Sequence, residues 1–181
     1  FLERYTRSFN YPEHSSVKSL SDVKQYGIKT YFCSNVCAAY KRETYQEVGG
    51  FVNRAIFNED MICAGNMVKQ GYSIAYAADA RVYHSHNYSC VQQFHRNFDL
   101  GVSQAEHPEI FADVPSEGEG LRLVKRSMAY LAKTGHVWLI PQLILQSGAK
   151  YAGYFLGKRY HKLPKKIVLA CTMNPYYWKK G

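Results

Sequence analysis

Acidic residues are missing from the last third of this chain. All 14 Asp and Glu lie in residues 1–120, where 11 Lys and Arg leave a net charge of −3. Residues 121–181, the acid-free segment, hold 12 Lys and Arg, so the 181-residue chain carries +9. Ordinary solvated surfaces mix charges of both signs. The acid-free segment therefore predicts a polyanionic partner: phospholipid, nucleic acid or a phosphorylated substrate.

Paired cysteines and long apolar runs are also missing. The five cysteines are odd in number and form no framework of pairs, which argues against a disulfide-stapled secreted scaffold and favours a reducing compartment. The longest apolar stretch, residues 137–145, contains Pro141 and falls well short of the roughly 18 residues of a spanning helix. With 46% hydrophobic residues, the chain is not a disordered or low-complexity protein.

Local patterns predict more helices than strands. Helices are expected over residues 42–48, 58–70, 90–105, 121–134 and 138–156, and short strands over 30–33, 72–77 and 80–83. Asn58 is the expected N-cap of the second helix, and Gly71 follows its last turn. This order indicates an α/β unit whose strands are too few to complete a sheet alone.

Five short stretches together resemble a known enzyme family. They are residues 34–43 (SNVCAAYKRE), 48–51 (VGGF), 58–60 (NED), 71–72 (GY) and 82–86 (VYHSH). In this order and at these spacings they resemble the second half of family 2 glycosyltransferases, most closely the rhamnosyltransferase-like members. The matched stretch covers residues 31–104.

The resemblance implies a GT-A fold and an inverting transfer of a sugar from a nucleotide-sugar donor to an acceptor hydroxyl. Residues 1–115 would form the acceptor-side, C-terminal half of the catalytic domain, and residues 116–181 a mainly helical basic tail. The chain contains no Asp-x-Asp motif, which the family carries in its N-terminal half together with the nucleotide-binding unit. We therefore expect a C-terminal fragment that is inactive alone.

The Glu-Asp pair supplies the candidate catalytic residues. By match to the family motif, Asp60 is the general base that deprotonates the acceptor hydroxyl, and Glu59 binds the acceptor or holds a loop. A carboxylate in the first turn of a helix faces free N–H groups and the positive end of the dipole, which keeps it ionised. The alternative is that both residues are ordinary helix-start acids.

Four further residues are candidates for acceptor or diphosphate binding. Ser34 and Asn35 follow a predicted strand, where sites of α/β proteins are commonly built, and by resemblance lie on the acceptor side. Gln93 and Arg96 resemble the Gln-x-x-Arg-Trp motif of processive members, although Asn97 replaces the Trp. Arg96 could contact the diphosphate with its planar guanidinium, or it could be a solvated helical arginine.

The candidate metal ligands are two histidines. In some family members a histidine at the position of His84 completes a Mn²⁺ or Mg²⁺ site, which is expected here only in the full-length enzyme. His86 projects to the same side of an extended chain and is the alternative ligand, and either could be structural. A zinc site from His84, His86, Cys90 and Cys63 is less favoured, because no Cys-x-x-Cys pair is present.

Two kinds of partner compete for the acid-free segment. Its interleaved aromatic and basic residues fit docking to an anionic membrane surface, which suits a lipid-linked acceptor. They also fit nucleic acid, but no nucleic-acid-binding signature accompanies them; the third alternative is a basic helical bundle. The sequence thus predicts a cytoplasmic enzyme at the inner face of the cell membrane that builds envelope or capsular polysaccharide. The alternative is a non-catalytic module that binds an anionic surface.

Overall fold

The computed structural model describes residues 11–84, 88–114 and 117–179, which form two compact units. The first unit contains residues 11–84 and 107–114, and the second contains residues 88–106 and 117–179. Residues 88–106 belong to the second unit, and the functional division expected at residues 115/116 stays a prediction. Residues 1–10, whose sequence is typical of the end of a helix, lie outside the described residues.

The regular structure is mainly helical. In chain order the elements are β1 (Ser16–Lys18), α1 (Val23–Tyr26), α2 (Arg42–Glu47), α3 (Glu59–Lys69), β2 (Ile74–Tyr76), α4 (Cys90–Glu106), α5 (Pro108–Phe111), α6 (Glu117–Lys133), α7 (Ile140–Gly157) and α8 (Lys165–Cys171). Short 3-10 turns cover Leu20–Asp22, Gly27–Tyr31, Val137–Leu139, Tyr160–Lys162 and Pro175–Lys179. The five predicted longer helices are confirmed, with ends shifted by a few residues. Within the described residues the sheet has two strands, and the expected α/β portion of a GT-A fold stays a prediction.

Two predicted strands were wrong. Residues 30–33 are rich in β-forming side chains, but a 3-10 turn covers Gly27–Tyr31. That turn buries Ile28 and Tyr31, which are three residues apart and so lie on one side of it. Residues 80–83 are exposed and irregular, because β2 pairs with a strand from the start of the unit instead. Ser16 of β1 lies opposite Tyr76 of β2 in this antiparallel pair.

The first unit packs around α3. Ile62 and Val68 on its buried face contact a core that includes Ile28, Tyr31, Ile110, Phe111 and Val114. This core therefore joins the start of the unit to α5. The chain passes through α4 of the second unit before it returns to the first unit at α5. The core holds the first turn of α3, and with it Glu59 and Asp60, in a fixed place.

In the second unit, α4 and α7 pack backbone to backbone. A Cβ added at Gly153 would lie 3.0 Å from the carbonyl carbon of Phe94 and 3.1 Å from the amide nitrogen of Phe98. Gly157 and Gly101 make comparable approaches to the partner backbone. Small residues spaced by four on α7 thus allow a contact that side chains would prevent.

A buried carboxylate fastens the C-terminal stretch to α4. Asp99 is fully buried and accepts hydrogen bonds from the Thr172 hydroxyl (2.6 Å), the Met173 amide (3.0 Å) and the Asn174 side chain (2.9 Å). Burial raises the pKa of Asp99 above its usual value despite these three donors. Asp99 is therefore one anchor of the segment after α8, together with Glu106 of α4, which accepts the Tyr177 hydroxyl (2.7 Å).

Replacing Asp99 with alanine is expected to lower the free energy of unfolding by about 3 kcal/mol, because buried donors lose a charged acceptor. Urea unfolding monitored by circular dichroism measures this. The control is Asp79→Ala, which removes an exposed carboxylate and should change stability by less than about 0.5 kcal/mol. Equal stability of the two variants would contradict the anchoring role.

None of the helices formed by the described residues combines the length and apolar character needed to cross a bilayer. All five cysteines are free.

Candidate active site

The first turn of α3 begins at an unusually constrained residue. Asn58 has φ 61° and is the non-glycine residue with positive φ within the described part of the chain. Asparagine tolerates this left-handed conformation better than most residues. Asn58 is the N-cap of α3, as predicted, although its side chain makes no capping hydrogen bond. Asn58 is 6% exposed, and its Nδ2 has no hydrogen-bond partner in the described structure.

Both oxygens of the Asp60 carboxylate accept backbone hydrogen bonds. The amide of Asn35 donates to Oδ2 (3.2 Å), and the amide of Met61 donates to Oδ1 (2.8 Å). The first contact spans 25 residues of sequence and joins the 34–37 turn to α3. The carboxylate is thus oriented by two fixed donors and is half-buried.

The Asn35 side chain links the two acids to an aromatic residue. Its Nδ2 donates to Glu59 Oε1 (3.5 Å), and its Oδ1 accepts from the Tyr40 hydroxyl (2.8 Å). The Tyr40 hydroxyl also lies 3.5 Å from Cys33 Sγ. The structure therefore brings together three of the predicted site residues, Asn35, Glu59 and Asp60. The fourth from this region, Ser34, is half-buried and accepts the Cys37 amide through its carbonyl (3.2 Å).

Tyr40 was missed by the sequence analysis, and an aromatic cluster holds it in place. Its ring makes edge contacts with Tyr45 (5.9 Å) and Phe51 (5.4 Å). Gly50 has φ 68°, and a Cβ there would lie 2.8 Å from the Tyr45 ring. Gly49 and Gly50 both have positive φ, so they serve the backbone geometry of this turn. Tyr40 lies within the matched stretch 34–43, but nothing in the sequence distinguished it from its neighbours, because its ring contacts with Tyr45 and Phe51 form only on folding.

Burial has the largest effect on the pKa of Asp60. It raises the pKa of Asp60 above its usual value, and the nearby Glu59 raises it further, while the two backbone donors lower it only in part. Desolvation therefore outweighs the backbone donors around the carboxylate and makes Asp60 more basic than an ordinary aspartate. Burial and the neighbouring Cys33 also raise the pKa of Tyr40, so its hydroxyl stays protonated and donates to Asn35.

Of the two candidate metal ligands, the structure describes one. His84 is exposed, and His86 lies outside the described residues. Across residues 11–84, 88–114 and 117–179, no three His, Cys, Asp or Glu side chains lie close enough to hold a metal ion. The described donor set does not fit a divalent metal by itself, and the expectation of Mn²⁺ or Mg²⁺ in the full-length enzyme stays a prediction.

Gln93 and Arg96 lie on α4, in the second unit. Gln93 is only 8% exposed, and its carbonyl accepts the Asn97 side-chain amide (2.7 Å). Arg96 is half-buried, with its guanidinium carbon 5.4 Å from the centre of the Tyr88 ring. Their predicted role at the diphosphate stays a prediction.

Comparison with known proteins identifies enzymes that this chain resembles in sequence. It is 43% identical over 178 residues to the O-antigen chain rhamnosyltransferase WbaN of Salmonella anatum, and equally to the O-antigen chain rhamnosyltransferase RfbN of Salmonella typhimurium. The match covers 98% of this chain and 56% of each relative, so the chain spans about half the length of these curated relatives. No protein-family model and no solved structure matches the chain significantly. The similarity supports a rhamnosyltransferase-like glycosyltransferase.

Proposed function

We propose that the protein transfers a rhamnosyl residue from a nucleotide-sugar donor to a hydroxyl of a glycan or lipid-linked acceptor in O-antigen or related polysaccharide synthesis. The finer assignment, to the inverting family 2 enzymes with a GT-A fold, is part of this proposal. Its main support is the Asn35–Glu59–Asp60 cluster, found in a chain 43% identical to two rhamnosyltransferases.

Asp60 is the base in the proposed reaction. The acceptor hydroxyl gives its proton to a carboxylate oxygen of Asp60 and forms a bond to the anomeric carbon. On the opposite face, the bond from that carbon to the diphosphate breaks, and its electron pair leaves with the diphosphate. Attack opposite the leaving group inverts the anomeric centre. The half-buried environment that raises the pKa of Asp60 makes it a stronger base than a solvated carboxylate.

Asn35 and Glu59 position the base and the acceptor. The Asn35 amide and the Met61 amide fix the plane of the Asp60 carboxylate, so one lone pair can be directed at the acceptor. Glu59 is exposed beside it and can accept a second sugar hydroxyl. On α4, the planar guanidinium of Arg96 lies above the Tyr88 ring, and its contact with a diphosphate stays a prediction of the sequence.

The function is tested by a transfer assay on the full-length protein with a panel of nucleotide-sugars and an O-antigen-type acceptor. We expect transfer from the rhamnose donor, with inverted anomeric configuration in the product. Transfer of another sugar would overturn the donor assignment. Failure of every donor, with retained binding to anionic surfaces, would favour the non-catalytic alternative.

The pH dependence of kcat/KM tests whether Asp60, with its raised pKa, is the general base. Only the ionised carboxylate accepts a proton, so kcat/KM should fall as pH drops through the raised pKa of Asp60. The acid limb should therefore lie above the value of about 4 that is ordinary for an aspartate. Glu59→Gln removes a charge that raises this pKa and should move the limb to lower pH. An unmoved limb would contradict this electrostatic coupling.

A further inference from the structure

Helix α7 exposes a continuous uncharged stripe. Seven exposed residues, spaced from one another by three or four positions, lie on one face: Pro141, Ile144, Leu145, Gly148, Tyr151, Ala152 and Phe155. Gln142 is also exposed but lies off this face. Ile144, Leu145 and Tyr151 are 55%, 64% and 61% exposed. We call these seven residues the apolar stripe; at 1.5 Å per residue it is about 21 Å long. The opposite face, with Leu143 and Gly153, is buried within the second unit.

A cationic cavity lies at the C-terminal end of the stripe. Its volume is about 340 Å³, and Tyr151 and Phe155, the last two aromatic residues of the stripe, form part of its wall. The rest of the lining includes Lys158, Arg159, His161 and Lys162. The Arg159 guanidinium lies 3.8 Å from the centre of the Phe155 ring, so the charged and apolar surfaces are continuous.

The cavity cations have no acidic partner in the described structure. The ion pairs among residues 11–84, 88–114 and 117–179 are His107–Glu109 and Arg122–Glu119, neither of which involves the cavity. The whole acid-free segment contains no carboxylate side chain to neutralise them. The cavity is thus a concentrated positive site with aromatic walls, which suits a phosphate group.

We propose that the apolar stripe and the cationic cavity form a docking surface for an anionic lipid bilayer. The cavity binds a lipid phosphate, and the stripe lies in the interface among the first acyl carbons. A second copy of this chain would cover the stripe but would bring like charges together. A nucleic acid would contact the cations but leave Ile144 and Leu145 exposed to water. An anionic bilayer would contact both the apolar stripe, through its acyl chains, and the cationic cavity, through its phosphates. This proposal does not depend on the transfer reaction at Asp60.

Vesicle flotation of the protein tests the cavity. Binding is expected to vesicles of phosphatidylcholine with phosphatidylglycerol, to weaken at high salt, and to be slight with phosphatidylcholine alone. The variant Lys158→Gln/Lys162→Gln should lower the partition constant about 30-fold, as expected when two surface cations of ~1 kcal/mol each are lost. The control Lys125→Gln/Lys133→Gln removes the same charge from α6 and should change binding much less. Equal losses in the two pairs would overturn the cavity as a specific site.

The stripe has its own matched pair of variants. Ile144→Ser/Leu145→Ser should weaken vesicle binding strongly, whereas Val91→Ser/Leu121→Ser, which alters exposed apolar residues elsewhere in the second unit, should not. Circular dichroism checks that all variants remain folded. Three results would overturn the proposal: vesicle binding unaffected by the stripe variants, self-association that only the stripe variants abolish, or preference for an oligonucleotide over anionic vesicles.

Discussion

Replacing Asp60 with asparagine is expected to lower kcat by about 10²- to 10⁴-fold, the usual contribution of a general base, with donor affinity unchanged. Asparagine keeps the size and an acceptor oxygen for the Asn35 or Met61 amide but cannot take the acceptor proton. The change therefore removes the chemistry and largely keeps the shape. Steady-state transfer kinetics with the full-length protein, together with titration of the nucleotide donor, separate these effects.

The control for this experiment is Asp79→Asn, which makes the same chemical change on an exposed carboxylate of the first unit. It should leave kcat and KM unchanged. If Asp60→Asn retains full turnover, Asp60 is a helix-start acid and not the base. If Glu59→Gln loses turnover while Asp60→Asn does not, the base is Glu59 instead.

Replacing Gly153 with alanine is expected to destabilise the second unit by about 3 kcal/mol and to lower its melting temperature by roughly 10 °C. The added methyl group would overlap the carbonyl oxygen of Phe94 and lie 3.1 Å from the Phe98 amide nitrogen. Backbone atoms cannot turn aside as a flexible side chain can, so α4 and α7 must separate. Thermal unfolding followed by circular dichroism measures the change.

Gly148→Ala is the matched control, because Gly148 lies in the same helix and a Cβ there would meet nothing within 4 Å. Alanine is the better helix former, so this variant should gain up to about 1 kcal/mol. A lower melting temperature for Gly153→Ala and a higher one for Gly148→Ala would establish the close approach of α4 and α7. Stabilisation by both would show that the helices are farther apart.

Local chemistry explains which expectations held. The helices 42–47, 59–69, 90–106, 117–133 and 140–157 were predictable because apolar spacing, caps and breakers act within a few residues of each other. At Ser89, for example, the hydroxyl accepts the Gln92 amide and the Gln92 side chain accepts the Ser89 amide. Such a reciprocal cap can be recognised in sequence alone.

Long-range pairing explains which expectations failed. Ser16–Lys18 form a strand only because Ile74–Tyr76 pair with them, nearly sixty residues along the chain. The stretch 30–33 has β-forming residues but no strand beside it, and burial of Ile28 and Tyr31 in a 3-10 turn prevails. Propensity is a weak guide wherever the partner is distant.

The features of the candidate site also fall into those that the sequence predicted and those that only folding determines. The sequence by itself identified Asn35, Glu59 and Asp60 through a family resemblance, and determined the charge of the acid-free segment through composition. Only the tertiary structure decided that Asn35 contacts both acids, that Tyr40 joins them, and that burial raises the pKa of Asp60. It alone also joined an apolar stripe to a cationic cavity on α7. The physical reason is that motifs and charge are properties of residues, whereas desolvation and hydrogen-bond geometry depend on distant neighbours brought together by folding.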